Sequence, residues 1–227
     1  WHPGDKEPVR IDIEAASDSA APAVERVVLE KATSVRFTRD GFQMAFVSGG
    51  DVWVMDTEVK EPRQVTRTAE EERDPEFAPD GKSLFFVSDA GGQTDIWKAV
   101  PENPAKYWWE NARFTLARLT NDAAAEFRIV FTPDGKRIGF VKERGELWIA
   151  DADGQNAKRL FESWDMPDFS FSPDGAWVVY SLSDEWFNDD IWLMPVDASK
   201  APFNLSRHPN GDRGPVWSPD GRMIAWT

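Results

Sequence analysis

Five times along the chain an aromatic residue, a sharp turn and a second apolar run recur in fixed register. The copies are FTRDGFQMAF (37–46), FAPDGKSLFF (77–86), FTPDGKRIGF (131–140), FSPDGAWVVY (171–180) and, among the last twelve residues, VWSPDGRMIAWT. Counted from the turn acids Asp40, Asp80, Asp134, Asp174 and Asp220, the columns align. Three residues before each stand Phe37, Phe77, Phe131, Phe171 and Trp217. Four after stand Met44, Leu84, Ile138, Val178 and Ile224, and six after stand Phe46, Phe86, Phe140, Tyr180 and Trp226. The last two columns are two residues apart, the period at which strand side chains return to the same face. In S-P-D-G the serine suits the first position of a type I turn, proline presets φ at the second, and glycine takes the left-handed position of a three-residue hairpin loop. Each unit therefore reads as an antiparallel hairpin. Arg39 replaces proline in the first, which leaves that turn less rigidly set.

A third run follows each complete hairpin: DVWVMD (51–56), DIWKAV (95–100), ELWIAD (146–151) and DIWLMP (190–195). A fourth, shorter one follows that: RQVT (63–66), ARLT (117–120), KRLF (158–161) and FNLS (203–206). Four strands per unit at a period near 40 residues is the signature of a β-propeller blade. The turn acids recur at intervals of 40, 54, 40 and 46 residues, and the long second interval contains the insertion AKYWWENARF (105–114). The expected fold is an all-β propeller with four complete repeats, 34–66, 74–120, 127–161 and 168–206, and a truncated fifth at 214–227. Residues 1–33 read as a partial preceding blade, with EPVRIDIE (7–14) and ERVVLEKA (25–32) as strands around an acidic loop at 15–23. No long segment has helical period, so little helix is expected. The missing initiator Met and an ending inside the fifth hairpin read as a piece of a longer protein, in which the exposed 223–226 edge would be covered by the rest of its blade.

Charge and composition narrow the function. With 26 basic and 40 acidic residues the net charge is −14, which repels a phosphate backbone and disfavours anionic membrane surfaces. No apolar run approaches the ~18 residues of a membrane helix, and the N-terminus WHPGDKEPVR has no apolar signal segment. Neither nucleic-acid binding nor membrane insertion is expected. There is no Cys, so disulfides and thiolate metal sites are excluded, although either redox compartment is permitted. A periplasmic or secreted setting is placed ahead of a cytoplasmic one, and oligomeric state is left open.

The combination FSPDGxxIxF, DIW and xxLT resembles the repeat of TolB-type propellers. The WD repeat would show GH and WD dipeptides, and a sialidase Asp-box would not place Gly directly after Asp. Within the TolB-like group, PVRIDI, ERVVLEKATSVRFTRDG, KYWWENARFTLARLT and NLSRHPNGDRGPVWSPDG resemble the first propeller of tricorn-type serine peptidases, over nearly the whole chain. That resemblance implies a non-catalytic propeller that gates or channels peptides toward a nucleophilic serine in a later domain. Its partners would be peptide substrate or neighbouring domains, and it implies no cofactor. Two other readings stand beside it: a TolB-like interaction module of the cell envelope, and the propeller of a prolyl-oligopeptidase-like hydrolase.

The residues supply no catalytic set. Serine catalysis needs a converging histidine and acid, and the chain has only His2 and His208, with no G-x-S-x-G elbow. The acid-rich stretches EEERD (70–74) and SDEWFNDD (183–190) lack calcium-loop spacing and read as solvated surface; DADG (151–154) reads as a hairpin turn. Asp51, Asp95 and Asp190 each precede a Trp by two and read as blade residues that bond loop backbone. Trp53, Trp97, Trp148 and Trp192 share one repeat column and read as packing between blades. Tyr107, Trp108, Trp109, Trp164, Trp186 and Phe187 fall outside the columns; they and His208 are the candidates for partner contact, or else they fold back over the rim.

Overall fold

The computed structural model describes Leu29 and residues 31–207 and 209–227. The segments 7–14, 15–23 and most of 25–32, together with His2 and His208, lie outside the described residues. Four antiparallel sheets follow one another, each a meander in chain order. The first contains β1 (Thr33–Phe37), β2 (Gln43–Ser48), β3 (Asp51–Asp56) and β4 (Arg63–Gln64). The second contains β5 (Glu72–Phe77), β6 (Leu84–Ser88), β7 (Asp95–Pro101) and β8 (Phe114–Arg118), with a 3-10 turn at Trp108–Glu110 inserted before β8. The third contains β9 (Glu126–Phe131), β10 (Arg137–Lys142), β11 (Glu146–Asp151) and β12 (Lys158–Phe161). The fourth contains β13 (Phe169–Phe171), β14 (Trp177–Ser183), β15 (Asp189–Pro195) and β16 (Phe203–Asn204). A two-stranded ribbon, β17 (Val216–Trp217) and β18 (Ile224–Ala225), completes the series. The fold is an all-β propeller built of four-stranded blades.

The sequence columns become cross-strand pairs. Phe46 faces Trp53, Phe86 faces Trp97, Phe140 faces Trp148 and Tyr180 faces Trp192, so each blade carries one aromatic–tryptophan pair on its two middle strands. Three apolar clusters fill the spaces between successive blades. Val52 and Val54 of the first meet Phe77, Leu84 and Phe86 of the second, with Trp97 packed against them. Phe85 and Ile96 of the second meet Phe131, Ile138 and Phe140 of the third, with Trp148 alongside. Leu147 and Ile149 of the third meet Phe169, Val178 and Tyr180 of the fourth, with Trp192 alongside. Trp53, only 8% exposed, lies outside these three clusters. Burial of both sheet faces explains why the middle strands read as nearly continuous apolar runs.

The PDG turn differs from the sequence expectation by one residue. Ser172 and Trp177 close the hairpin through Ser172 N–H to Trp177 O at 2.9 Å, leaving four loop residues rather than three. The type I turn is present, with Gly175 N–H donating to Ser172 O at 2.8 Å and Gly175 at φ +69°. The extra residue is accommodated by side chains. Asp174 Oδ1 accepts the Ala176 N–H at 3.0 Å, and Ser172 Oγ accepts the Trp177 N–H at 2.9 Å. Thr38, Thr132 and Ser218 use their hydroxyls in the same way. In the second blade Ala78 stands at this place, without a hydroxyl. The hydroxyl also donates to the aspartate, and this bond, with the backbone amide, holds Asp40, Asp134, Asp174 and Asp220 below the usual carboxylate range.

Two acidic stretches are not wholly solvated surface. Glu72 of EEERD is 1% exposed and Asp189 of SDEWFNDD is 4% exposed. Both are buried because hydroxyl or guanidinium donors meet them: Thr66, Thr68 and Ser88 at Glu72, and Ser183 and Arg213 at Asp189. The recurring acids before tryptophan also act mainly through side chains rather than backbone. Asp51 accepts from Gln64 Nε2 at 2.8 Å, Asp190 from Asn204 Nδ2 at 2.8 Å, and Asp95 pairs with Arg118, so each ties the third strand of its blade to the fourth.

Candidate functional site

The first strand of each of the first three blades carries an irregularity at one fixed place. Pairing slips between Thr33 and Arg36, between Arg73 and Glu76, and opposite Gly139 and Val141. Six residues before the turn acids stand Ser34, Asp74, Arg128, Asp168 and Gly214. Ser34, Asp74 and Arg128 each have φ 51°, and Gly214 has φ 61°. Non-glycine residues rarely adopt this left-handed conformation, and its recurrence in bulges turns side chains away from the regular pleat.

The first-strand segments of all five units border a central cavity of about 450 Å³, through Arg36, Asp74, Arg128, Asp168, Ser170 and Val216 among others. Its wall alternates in charge. Arg36 Nε bonds Glu76 Oε2 at 2.9 Å, the Arg128 backbone N–H donates to Asp74 Oδ2 at 3.3 Å, and the Arg128 guanidinium pairs with Asp168. Ser170 Oγ donates to the Pro215 carbonyl at 3.0 Å. Burial pushes the Glu76 carboxyl up to about 7 against the pull of Arg36. Arg128 and Asp168 also border a second, polar recess of about 180 Å³ with Asp165, Ser181, Ser183, Asp189 and Arg213. Ser181 Oγ accepts the Asp168 N–H at 3.0 Å and Ser183 Oγ donates to Asp165 at 3.1 Å. The serines are thus held by carboxylates and backbone. The described residues contain no group of three or more His, Asp or Glu side chains placed to hold a metal ion. The arrangement suits reversible binding of a polar chain bearing both charges.

The sequence candidates separate by location. Asp40, Asp80, Asp134, Asp174 and Asp220 lie in the hairpin turns, away from the cavity wall. Of the insertion, Trp108 is unavailable to a partner. It is 2% exposed, stacks on Phe114 with ring centroids 5.6 Å apart, and donates from Nε1 to Gly81 O at 2.7 Å. Tyr107 is 52% exposed and Trp109 is half-buried beside it. At the other end of the sheets, Trp186 and Phe187 are 85% and 76% exposed. Asp184 holds their loop through the N–H groups of Trp186 and Asn188 at 2.8 and 3.0 Å, and Phe187 sits at φ 61°. Trp164 meets Phe187 edge-on at 5.2 Å. Reasoning from sequence missed the bulge residues. Their signal was a column that varies as Ser, Asp, Arg, Asp and Gly inside a repeat that is otherwise constant.

No family model matches the chain. A tricorn protease homolog of Saccharolobus solfataricus is 28% identical over 109 residues, covering 47% of this chain and 10% of that protein. The chain thus spans a tenth of that curated relative. Among solved structures, TolB from Acinetobacter baumannii superposes with a TM-score of 0.65 at 22% identity, covering 86% of this chain and 48% of that one. The tricorn protease superposes with a TM-score of 0.68 at 15% identity, covering 86% of this chain and 18% of that one. The fold is a TolB-like β-propeller that resembles the tricorn propeller.

Proposed function

We propose that this TolB-like, tricorn-resembling propeller is a non-catalytic element of a peptidase, which admits and orients peptide substrate and helps assemble the parent protein. The observation that carries the reading is the central cavity. The repeat frame is constant, yet the inner-strand residues lining that cavity differ from blade to blade and present Arg36, Asp74, Arg128 and Asp168 together. An extended peptide carries an amine, a carboxylate and a row of amides, and this wall offers a partner for each. The test uses the full-length product of the gene with Arg128→Glu. Hydrolysis of long peptides is expected to lose kcat/KM by about tenfold, equal to ~1.4 kcal/mol of lost binding. Hydrolysis of a dipeptide ester should stay unchanged. Equal loss on both substrates, or on neither, sinks the reading.

A second reading has its own observation. Trp186 and Phe187 are exposed on a loop fixed by Asp184, as expected of an anchor for a protein partner in a TolB-like interaction module. Pull-down of a partner that is lost in Trp186→Ala, while peptide hydrolysis is untouched, would favour it.

A further inference from the structure

Three departures from the repeat converge at one place, the end of the first and second blades that bears the hairpin turns. The residue two after the turn acid is Lys82, Lys136, Ala176 or Arg222 in four units, but Phe42 in the first. The connection from β7 to β8 is long only in the second blade, where it carries Tyr107 and Trp109. The connection from β3 to β4 is wound around Asp56, whose carboxylate accepts the N–H groups of Glu58, Lys60 and Glu61 at 3.0, 3.2 and 3.2 Å and that of Val59. Together they enclose a groove of about 260 Å³ lined by Phe42, Val59, Tyr107 and Trp109, with Gln43, Asp56 and Glu58.

The walls are set before any ligand arrives. Trp108 anchors the insertion from beneath, its backbone N–H donating to Gln43 Oε1 at 2.6 Å, and Arg63 Nε holds the Trp109 carbonyl at 3.2 Å from outside the groove. Phe42, Val59 and Tyr107 nevertheless stay 55%, 64% and 52% exposed, an apolar outlay with no use in the blade frame. The polar lining is of one sign. Asp56 is spent on its own loop, Glu58 has no ion-pair partner among the described residues, and no cation lines the groove; Lys60 and Arg63 only flank it. A purely apolar guest would strip water from the Glu58 carboxylate without compensation. A long basic side chain would not, because its methylene stem covers Val59 and Phe42 while its head meets aromatic faces and Glu58.

We propose that this groove binds a lysine or arginine side chain presented by a peptide segment of a partner protein or neighbouring domain. The site is separate from the central cavity and goes beyond the access function proposed above. The test titrates the full chain with blocked Gly-Gly-Lys-Gly-Gly and Gly-Gly-Arg-Gly-Gly peptides, followed by the tryptophan indole NMR signals. The controls replace lysine by Nζ-acetyl-lysine and by norleucine. Single-residue recognition should be weak, with Kd about 1 mM, and both controls should bind roughly fivefold or more weakly. Phe42→Lys, which installs the residue found in the second and third blades, and Glu58→Gln should each weaken the basic peptides by a similar factor. Tyr107→Ala gives a second readout should Phe42→Lys fold poorly. Arg128→Glu, in the central cavity, should leave this binding unchanged. Equal binding of acetyl-lysine or norleucine, or signals that move only in response to Arg128→Glu, overturns the proposal.

Discussion

The Thr66 hydroxyl of the first blade donates to the Glu72 carboxylate that opens the second, at 2.7 Å. The same oxygen accepts the Val52 N–H at 2.8 Å, so one hydroxyl closes its own blade and grips the next. Thr120 repeats this one blade on, accepting the Ile96 N–H at 2.8 Å and bonding Glu126. In the fourth blade Ser206 accepts the Ile191 N–H at 3.0 Å, but the acid six residues on is Asp212, one methylene shorter, and its buried Oδ2 has no partner among the described residues. Thr66→Val should cost about 1–3 kcal/mol, because it leaves a buried amide and a buried carboxylate without their hydroxyl. Thr66→Ser should recover most of that loss. Urea unfolding of the three proteins measures it, and equal stability of the valine variant would refute the latch.

The turn of the second blade lacks the hydroxyl that its counterparts use. Ala78→Ser should therefore stabilise the chain by about 0.5–1.5 kcal/mol, by bonding the Ser83 N–H and Asp80. The reverse change, Ser172→Ala, should cost a similar amount. Paired thermal melts decide both.

Stability should fall as pH rises through neutrality. Burial raises Glu76 from 4.5 in the unfolded chain to about 7 in the folded one. A group shifted upward contributes stability that is fully present below pH 4.5 and is lost as pH rises through about 7. Glu76→Gln should flatten the curve across that window. Chemical denaturation at several pH values from 5 upward would show it, and an unchanged slope in the variant would exclude Glu76 as the source.

Close packing between the third and fourth blades depends on Gly139. A Cβ there would lie 2.8 Å from atoms of both Phe169 and Phe171, so Gly139→Ala should cost about 1–3 kcal/mol through overpacking.

Adjacent aromatic residues of the insertion should behave unlike one another. Trp108→Ala empties a fully enclosed site and should cost about 3–5 kcal/mol, whereas Tyr107→Ala beside it should stay within ~0.5 kcal/mol. A thermal shift comparison separates them.

The frame was legible because period-two apolar columns and PDG turns are local signals. Phe86 and Trp97 could be placed in the blade before their pairing was known. Three things were not legible, each for a physical reason. Glu72 looked like surface because its donors Thr66 and Ser88 come from the loop after β4 and from β6, and an acidic run does not show that it will be hydroxyl-bonded. Trp108 could not be told from Trp109, because the choice is made by Gln43 and Gly81, distant in the chain. The lining of the cavity was hidden because the residues that meet there, among them Arg36, Asp74, Arg128 and Asp168, come from different blades and share no residue type.

The inner-strand bulges have a consequence for how such a chain can diversify. Ser34, Asp74, Arg128 and Gly214 hold the same left-handed backbone with four different residue types, while the interblade clusters draw on other positions. The mechanical skeleton and the inner surface are therefore written in separate letters of the repeat. A lineage can rewrite the chemistry of its inner surface, blade by blade, without renegotiating the packing that keeps the blades together.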